Sequence, residues 1–171
     1  RPGNATAAAS LGRALAELHR HTAADFGWHR DNTIGSTPQP NAWQPDWANF
    51  WREQRLGHQL ALAAGHGPEL ERRGGLLLDA LDGLLGDHRP APSLLHGDLW
   101  GGNWAALPGG EPVVFDPAVY YGDRECDLAM AALFGGFPPA FHAAYAAAWP
   151  LPPGAGARRD LYNLYHVLNH L

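Results

Sequence analysis

Apolar residues recur at helical spacing along much of this chain, and the breaks between these stretches fall at glycine and proline. Leu11, Leu15 and Leu18 lie on one side of a helix that Ser10 could cap, which predicts a helix over about 10–22. Residues 26–46 carry several Gly, Pro, Asn and Asp and no clear period, so they are expected to be irregular. Asp46 then caps a second helix in which Trp47, Phe50 and Trp51 share a face, running to about 64. Pro68 opens a third, with Leu77, Leu81, Leu84 and Leu85 as its buried side, and His88-Arg89-Pro90 stops it near 88. A short strand is expected at Ser93–His96. Two more, Asn103 to Leu107 and Val113 to Phe115, flank the turn signal Pro108-Gly109-Gly110-Glu111-Pro112 and should form a hairpin. Helices over about 124–134 and up to about 148 follow. Leu161, Leu164, Tyr165 and Leu168 mark a last one. The pattern predicts a mostly α chain with a small β-hairpin.

Composition narrows the function classes. The formal charge of −5 gives no support for nucleic-acid binding, and no apolar run is long enough to span a membrane. Arg1-Pro2-Gly3-Asn4 leads into no apolar region of the kind a secretory signal has. Cys126 is the single cysteine, so no internal disulfide can form, which suits a reducing cytoplasm. All twelve basic residues are arginine. Nucleotide kinases bind phosphates with a small-lobe lysine and a glycine-rich loop, and neither is present here.

The candidate chemistry lies in Leu94-Leu95-His96-Gly97-Asp98-Leu99-Trp100-Gly101-Gly102-Asn103 and Val113-Val114-Phe115-Asp116-Pro117. Four residues separate Asp98 from Asn103, the spacing of a kinase catalytic loop in which the Asp receives a hydroxyl proton and the Asn holds a metal. Folding the hairpin brings Asn103 beside Asp116, and Asp98 faces the same point. Oxygen side chains that converge in this way suit Mg2+ and phosphate. Each residue alone reads as a turn; the ordered combination is much rarer. His96 is expected to pack below the loop and bond its backbone. Asp127 is expected to be a buried acceptor for loop N–H groups. Trp43, Trp47 and Trp51 are more simply core than a sugar platform, and Trp43, outside the helix, is the best platform candidate.

His96-Gly97-Asp98-Leu99-Trp100-x-Gly102-Asn103 resembles the catalytic loop of the fructosamine (ketosamine) 3-kinase family. The likeness continues in Asn32-x-Ile34-Gly35-x-Thr37-Pro38-Gln39-x-Asn41, Phe115-Asp116-Pro117-Ala118, Tyr120-Tyr121-Gly122, Asp127-Leu128-Ala129, Leu133-Phe134-Gly135-Gly136-Phe137 and Leu168-Asn169-His170-Leu171. It covers about residues 11–171. The resemblance implies the C-terminal, large lobe of a protein-kinase-like α+β fold spanning 1–171, with the ATP-binding lobe expected before Arg1. It implies ATP- and Mg2+-dependent phosphorylation of the 3-hydroxyl of a small or protein-bound ketosamine, and so deglycation. Asp98 would be the base, Asn103 and Asp116 the metal ligands, and Trp100, Trp43 and Tyr120 the substrate contacts. Two alternatives stand beside it: a non-catalytic relic or binding module, and a kinase for another small hydroxyl compound of the aminoglycoside or choline type. Asp123 stands where relatives commonly have histidine.

Overall fold

The computed structural model describes residues 4–171. Its helices surround three two-stranded antiparallel sheets, an α+β arrangement with more strand pairing than the single expected hairpin. No described helix is long and apolar enough to cross a membrane.

Helix α1 is Ala5–His19, capped by Asn4, whose Oδ1 accepts from the Ala7 N–H at 2.9 Å. It therefore starts before the expected Ser10. Ala5, Ala7, Ala8 and Ala9 are strong helix formers, and Ala7 and Ala8 are buried with Phe141 and Tyr145 of the later helix α6, Pro139–Ala148. Burial extends the helix back to the first residue able to cap it. At its other end His19 is fully buried, a placement that matters for the site below.

The stretch expected to be irregular holds a tight hairpin. Strand β1, Asn32–Ile34, pairs with β2, Thr37–Gln39, across Gly35 at φ 58. Strands of three residues, with Ile34 their one large apolar side chain, are too short and too polar to show hydrophobic alternation, so periodicity misses them. Buried amides hold them instead. Gln39 Nε2 donates to Asn32 Oδ1 (2.8 Å) and the Ala118 carbonyl (3.1 Å). Asn41 Nδ2 also donates to Asn32 Oδ1, and Arg55 donates to Asn41 Oδ1 at 2.7 Å.

Asp46 caps α2, Trp47–Phe50, as expected, through the Asn49 N–H at 2.9 Å. The helix then widens into a π-helical segment, Trp51–Leu56, before α3, Gly57–Leu62. At 100° per residue an unbroken α-helix would carry Leu56 about 180° round from Trp47. The wider turn keeps Trp51, Arg55 and Leu56 on the core side, all fully buried. Helix α4, Pro68–Leu85, ends at Gly86. Leu81 and Leu85 are buried there, but Leu84 is exposed, contrary to its expected inward face.

Strand β3, Ser93–Leu95, pairs with an unexpected strand β6, Tyr120–Gly122. Between them the expected hairpin forms, β4 Trp104–Ala106 against β5 Pro112–Val114, with Trp104 opposite Val114. Helix α5, Glu125–Leu133, packs against α7, Ala155–Leu168, and α1 packs against α6.

One buried ring on α7 sets a pH response. His166 is enclosed, its Nδ1 has no partner, and burial pushes its pKa down to about 4. The unfolded chain, with an ordinary histidine, binds more protons between that value and about 6.5, so stability is lost as pH falls through this window. Urea denaturation should show a loss of about 2 kcal/mol between pH 7 and 5. His166→Phe should remove most of that slope; an unchanged slope in the variant would contradict the assignment.

Candidate active site

Strand β3 delivers the chain into His96-Gly97-Asp98. Gly97 sits at φ 82, and a Cβ there would lie 2.0 Å from the Ala118 carbonyl oxygen, so no other residue fits without moving the β6 side of the site. The next contact is made by α5. Asp127, fully buried, accepts the His96 N–H at Oδ2 and the Gly97 N–H at Oδ1, each at 2.8 Å. Asp127 Oδ2 also receives His19 Nε2 at 3.1 Å, while His19 Nδ1 lies 2.8 Å from the Tyr145 hydroxyl. Arg124 donates to that hydroxyl at 3.0 Å. Donors thus run from Arg124 through Tyr145 and His19 to the carboxylate, joining α5, α6 and α1 behind the loop. Burial pushes the Asp127 pKa up. The His19 hydrogen bond and the Gly97 N–H outweigh it and hold the group below the usual carboxylate value.

His96 is the loop's second brace. Its Nδ1 accepts the Asp98 N–H at 3.2 Å, so its Nε2 carries the hydrogen and donates to the Phe115 carbonyl at 2.9 Å. One neutral ring thereby ties the loop to the far foot of the β4–β5 hairpin.

Asp98 is half-buried. Its Oδ2 accepts from Asn103 Nδ2 at 2.9 Å, and the same amide nitrogen reaches the Asp98 carbonyl (2.9 Å) and the Asp116 carbonyl (3.5 Å). Burial raises the Asp98 pKa, against the opposing Asn103 hydrogen bond. A carboxylate raised in this way is a better proton acceptor.

The hairpin brings Asn103 and Asp116 together: the Phe115 N–H donates to the Asn103 carbonyl at 3.1 Å. With Asn103 Nδ2 spent on Asp98 and Asp116, its Oδ1 has no donor among the described residues. The exposed Asp116 carboxylate has none either. Asp116 is also the only described non-glycine residue at positive φ, 53, a conformation that costs energy and that clusters at functional sites. An unpartnered amide oxygen beside an unpartnered carboxylate is the hard-oxygen donor set a magnesium ion takes, so these residues fit the metal.

Asp98 opens into a cavity of about 230 Å³. Ile34, Trp100, Met130 and Phe134 form its apolar walls; Asn169 and His170, just past α7, share the polar side with Asp98. The half-exposed Trp100 ring lies over Gly102, where a Cβ would come within 2.2 Å of it. That explains the glycine two residues after the tryptophan.

Two expected substrate contacts are not brought here. Tyr120 is enclosed in the core, with the Arg55 guanidinium 3.9 Å above its ring, so it has no face left for a ligand. Trp43 is exposed but stacks on Tyr121 at 6.1 Å, beside Trp28 and outside the cavity. Conversely, Ile34, Met130, Phe134, Asn169 and His170 line the cavity although sequence reasoning does not mark them as site residues. The motifs Asn32 to Asn41, Leu133 to Phe137 and Leu168 to Leu171 carry the signal for four of them; Met130 lies in no motif.

A larger cavity of about 700 Å³ lies away from Asp98, lined in part by His88, Asp123, Glu125 and Arg158. The two buried carboxylates among them have close partners. Asp123 accepts from His88 Nε2 and the Tyr162 hydroxyl, both at 2.7 Å, and Arg158 grips Glu125 with two hydrogen bonds. Asp123 is thus a buried acceptor that anchors the start of α5.

Comparison with known proteins adds independent findings. A sequence model described as fructosamine kinase matches residues 2–171. The "Probable ketoamine kinase" of Synechocystis is 54% identical over 164 residues, which are 94% of this chain and 54% of that protein. The one from Escherichia coli K12 is 45% identical over 170 residues, 99% of this chain and 59% of that protein. A crystal structure from Thermobifida fusca, provisionally named a fructosamine-3-kinase, superposes with a TM-score of 0.88 at 38% identity, covering 99% of this chain and 60% of that one. One from Haemophilus somnus, named in the same way, gives 0.89 at 34%, covering 99% and 57%. The chain spans little more than half the length of these relatives.

The loop anchor can be tested by itself. Asp127→Asn keeps the shape but replaces an acceptor by a donor facing a backbone N–H. It should lower unfolding free energy by about 2–3 kcal/mol in urea titration. A loss under about 0.5 kcal/mol would show that the loop does not depend on this carboxylate.

Proposed function

The chain belongs to the fructosamine kinase family, and from that premise we propose that it is the large lobe of an ATP-dependent ketoamine kinase. The observation that carries this reading is Asp98, which lines a cavity of about 230 Å³ and is hydrogen-bonded to Asn103, whose side-chain amide also reaches the Asp116 backbone carbonyl. The acceptor is a ketosamine, and the group phosphorylated is its 3-hydroxyl. Breakdown of the phosphorylated adduct then frees the amine, which makes the reaction a deglycation. A reaction that consumes ATP suits the cytoplasmic setting read from the sequence.

In this mechanism the acceptor hydroxyl lies at Asp98. As its oxygen forms a bond to the γ-phosphorus of ATP and the bond to the ADP oxygen breaks, Asp98 Oδ takes the hydroxyl proton. Asn103 keeps the carboxylate aimed by donating to it. Asn103 Oδ1 and Asp116 would hold magnesium, which neutralises charge on the transferred phosphoryl group. His96 and Asp127 hold the loop in place without touching substrate. Trp100 offers an aromatic face to the sugar, while Ile34 and Met130 exclude water. The lobe that cradles ATP, with its lysine and glycine-rich loop, belongs to the rest of the full-length protein.

In the full-length enzyme Asp98→Asn should lower kcat on fructosyl-lysine by about 10²–10⁴-fold while the thermal midpoint stays near the parent's. Turnover within threefold of the parent would remove Asp98 as the base.

A further inference from the structure

His170 takes no part in the proton transfer or the metal site, yet it lines the same cavity as Asp98. Its Nδ1 lies 2.7 Å from the His166 carbonyl oxygen. A carbonyl can only accept, so Nδ1 bears the hydrogen; the neutral tautomer that this selects has its lone pair at Nε2. Among the described residues nothing donates to that Nε2. The ring is steadied against Phe134, centroid to centroid 5.0 Å. A fixed acceptor therefore stands in a cavity whose apolar walls include Trp100, Phe134 and Met130.

Such a cavity suits one part of a ketoamine in particular. The amine on C1 is a secondary ammonium at neutral pH, with two N–H donors and no acceptor. Aromatic faces attract cations, and an imidazole lone pair takes one of the N–H groups. Asp98 adds negative charge on the same side. Fructose without the amine offers none of this.

We infer that His170 is a substrate-binding residue of the acceptor cavity, its Nε2 accepting a hydrogen bond from the ammonium N–H of the ketoamine. The inference rests on the proposed ketoamine kinase function. It makes His170 a determinant of selectivity for the amine over the plain sugar, separate from the machinery that moves the phosphoryl group.

The test uses the full-length enzyme with two variants that keep different halves of the ring. His170→Asn retains a donor near Nδ1 and loses the acceptor at Nε2; His170→Gln places an amide oxygen near Nε2. With fructosyl-lysine, His170→Asn should raise the acceptor KM at least tenfold, leave the ATP KM within twofold and keep the thermal midpoint. His170→Gln should recover much of the loss. The second readout is preference for fructosyl-lysine over the derivative acetylated on the nitrogen attached to sugar C1, which lacks that ammonium; His170→Asn should shrink the parent's preference at least fivefold. A parental acceptor KM in His170→Asn, an unchanged preference, or recovery by Asn instead of Gln would overturn the inference, the last because it marks a helix-capping role alone. If the parent itself does not phosphorylate fructosyl-lysine, the ketoamine reading falls and takes this one with it. A parent that is active with insensitive His170 variants overturns only the role of His170.

Discussion

The carboxylate of Asp127 is the interaction on which the rest of the site depends. Two successive backbone N–H groups of the loop, at His96 and Gly97, have this one buried partner. A buried donor left without an acceptor costs about 1–3 kcal/mol, so the loop has one well-satisfied arrangement, and that arrangement presents Asp98. The charge is affordable in the core because His19 meets it from behind and because Tyr145 and Arg124 satisfy His19 in turn. Helices α1, α5 and α6 therefore act as more than filler around the loop. Each supplies one member of the chain of donors that sets where Asp98 stands.

The opposite side of the site is held with less enclosure. Asn103 spends its amide hydrogens inward and leaves its oxygen outward, and Asp116 is bent into a left-handed conformation with its carboxylate free. A chain selected only for stability would place glycine or asparagine at such a turn. Backbone strain and unpaired hard oxygens on neighbouring residues fit the donor set that a cation takes. The acceptor cavity repeats the division of labour, with apolar walls from three separate segments and polar groups from the loop and the end of α7.

Much of the candidate site's geometry was legible in the residues because kinase-type chemistry demands particular side chains at particular spacings. Asp98, Asn103 and the hairpin to Asp116 could be read from four intervening residues and a turn signal. Cap chemistry at Asp46 was equally local. What could not be read depended on partners distant in sequence. The start of α1 was hidden because alanines take their inward face from α6, which lies far along the chain. The β1–β2 hairpin was hidden because buried amides, not alternating apolar residues, hold it. Tyr120 looked like a substrate contact from its motif, but Arg55, turned inward on a π-helical segment, covers it. His170 became visible as a cavity residue only once α7 folded back across α5 to the mouth of the loop.

Amide hydrogen exchange at His96 and Gly97 tests the central dependence most directly. Both N–H groups belong to a loop, where exchange is normally fast, yet each donates to a carboxylate sealed under three helices. Exchange of both amides should be as slow as in the α5 core and should quicken together in Asp127→Asn. Fast exchange at either amide in the parent protein would contradict a loop held by Asp127.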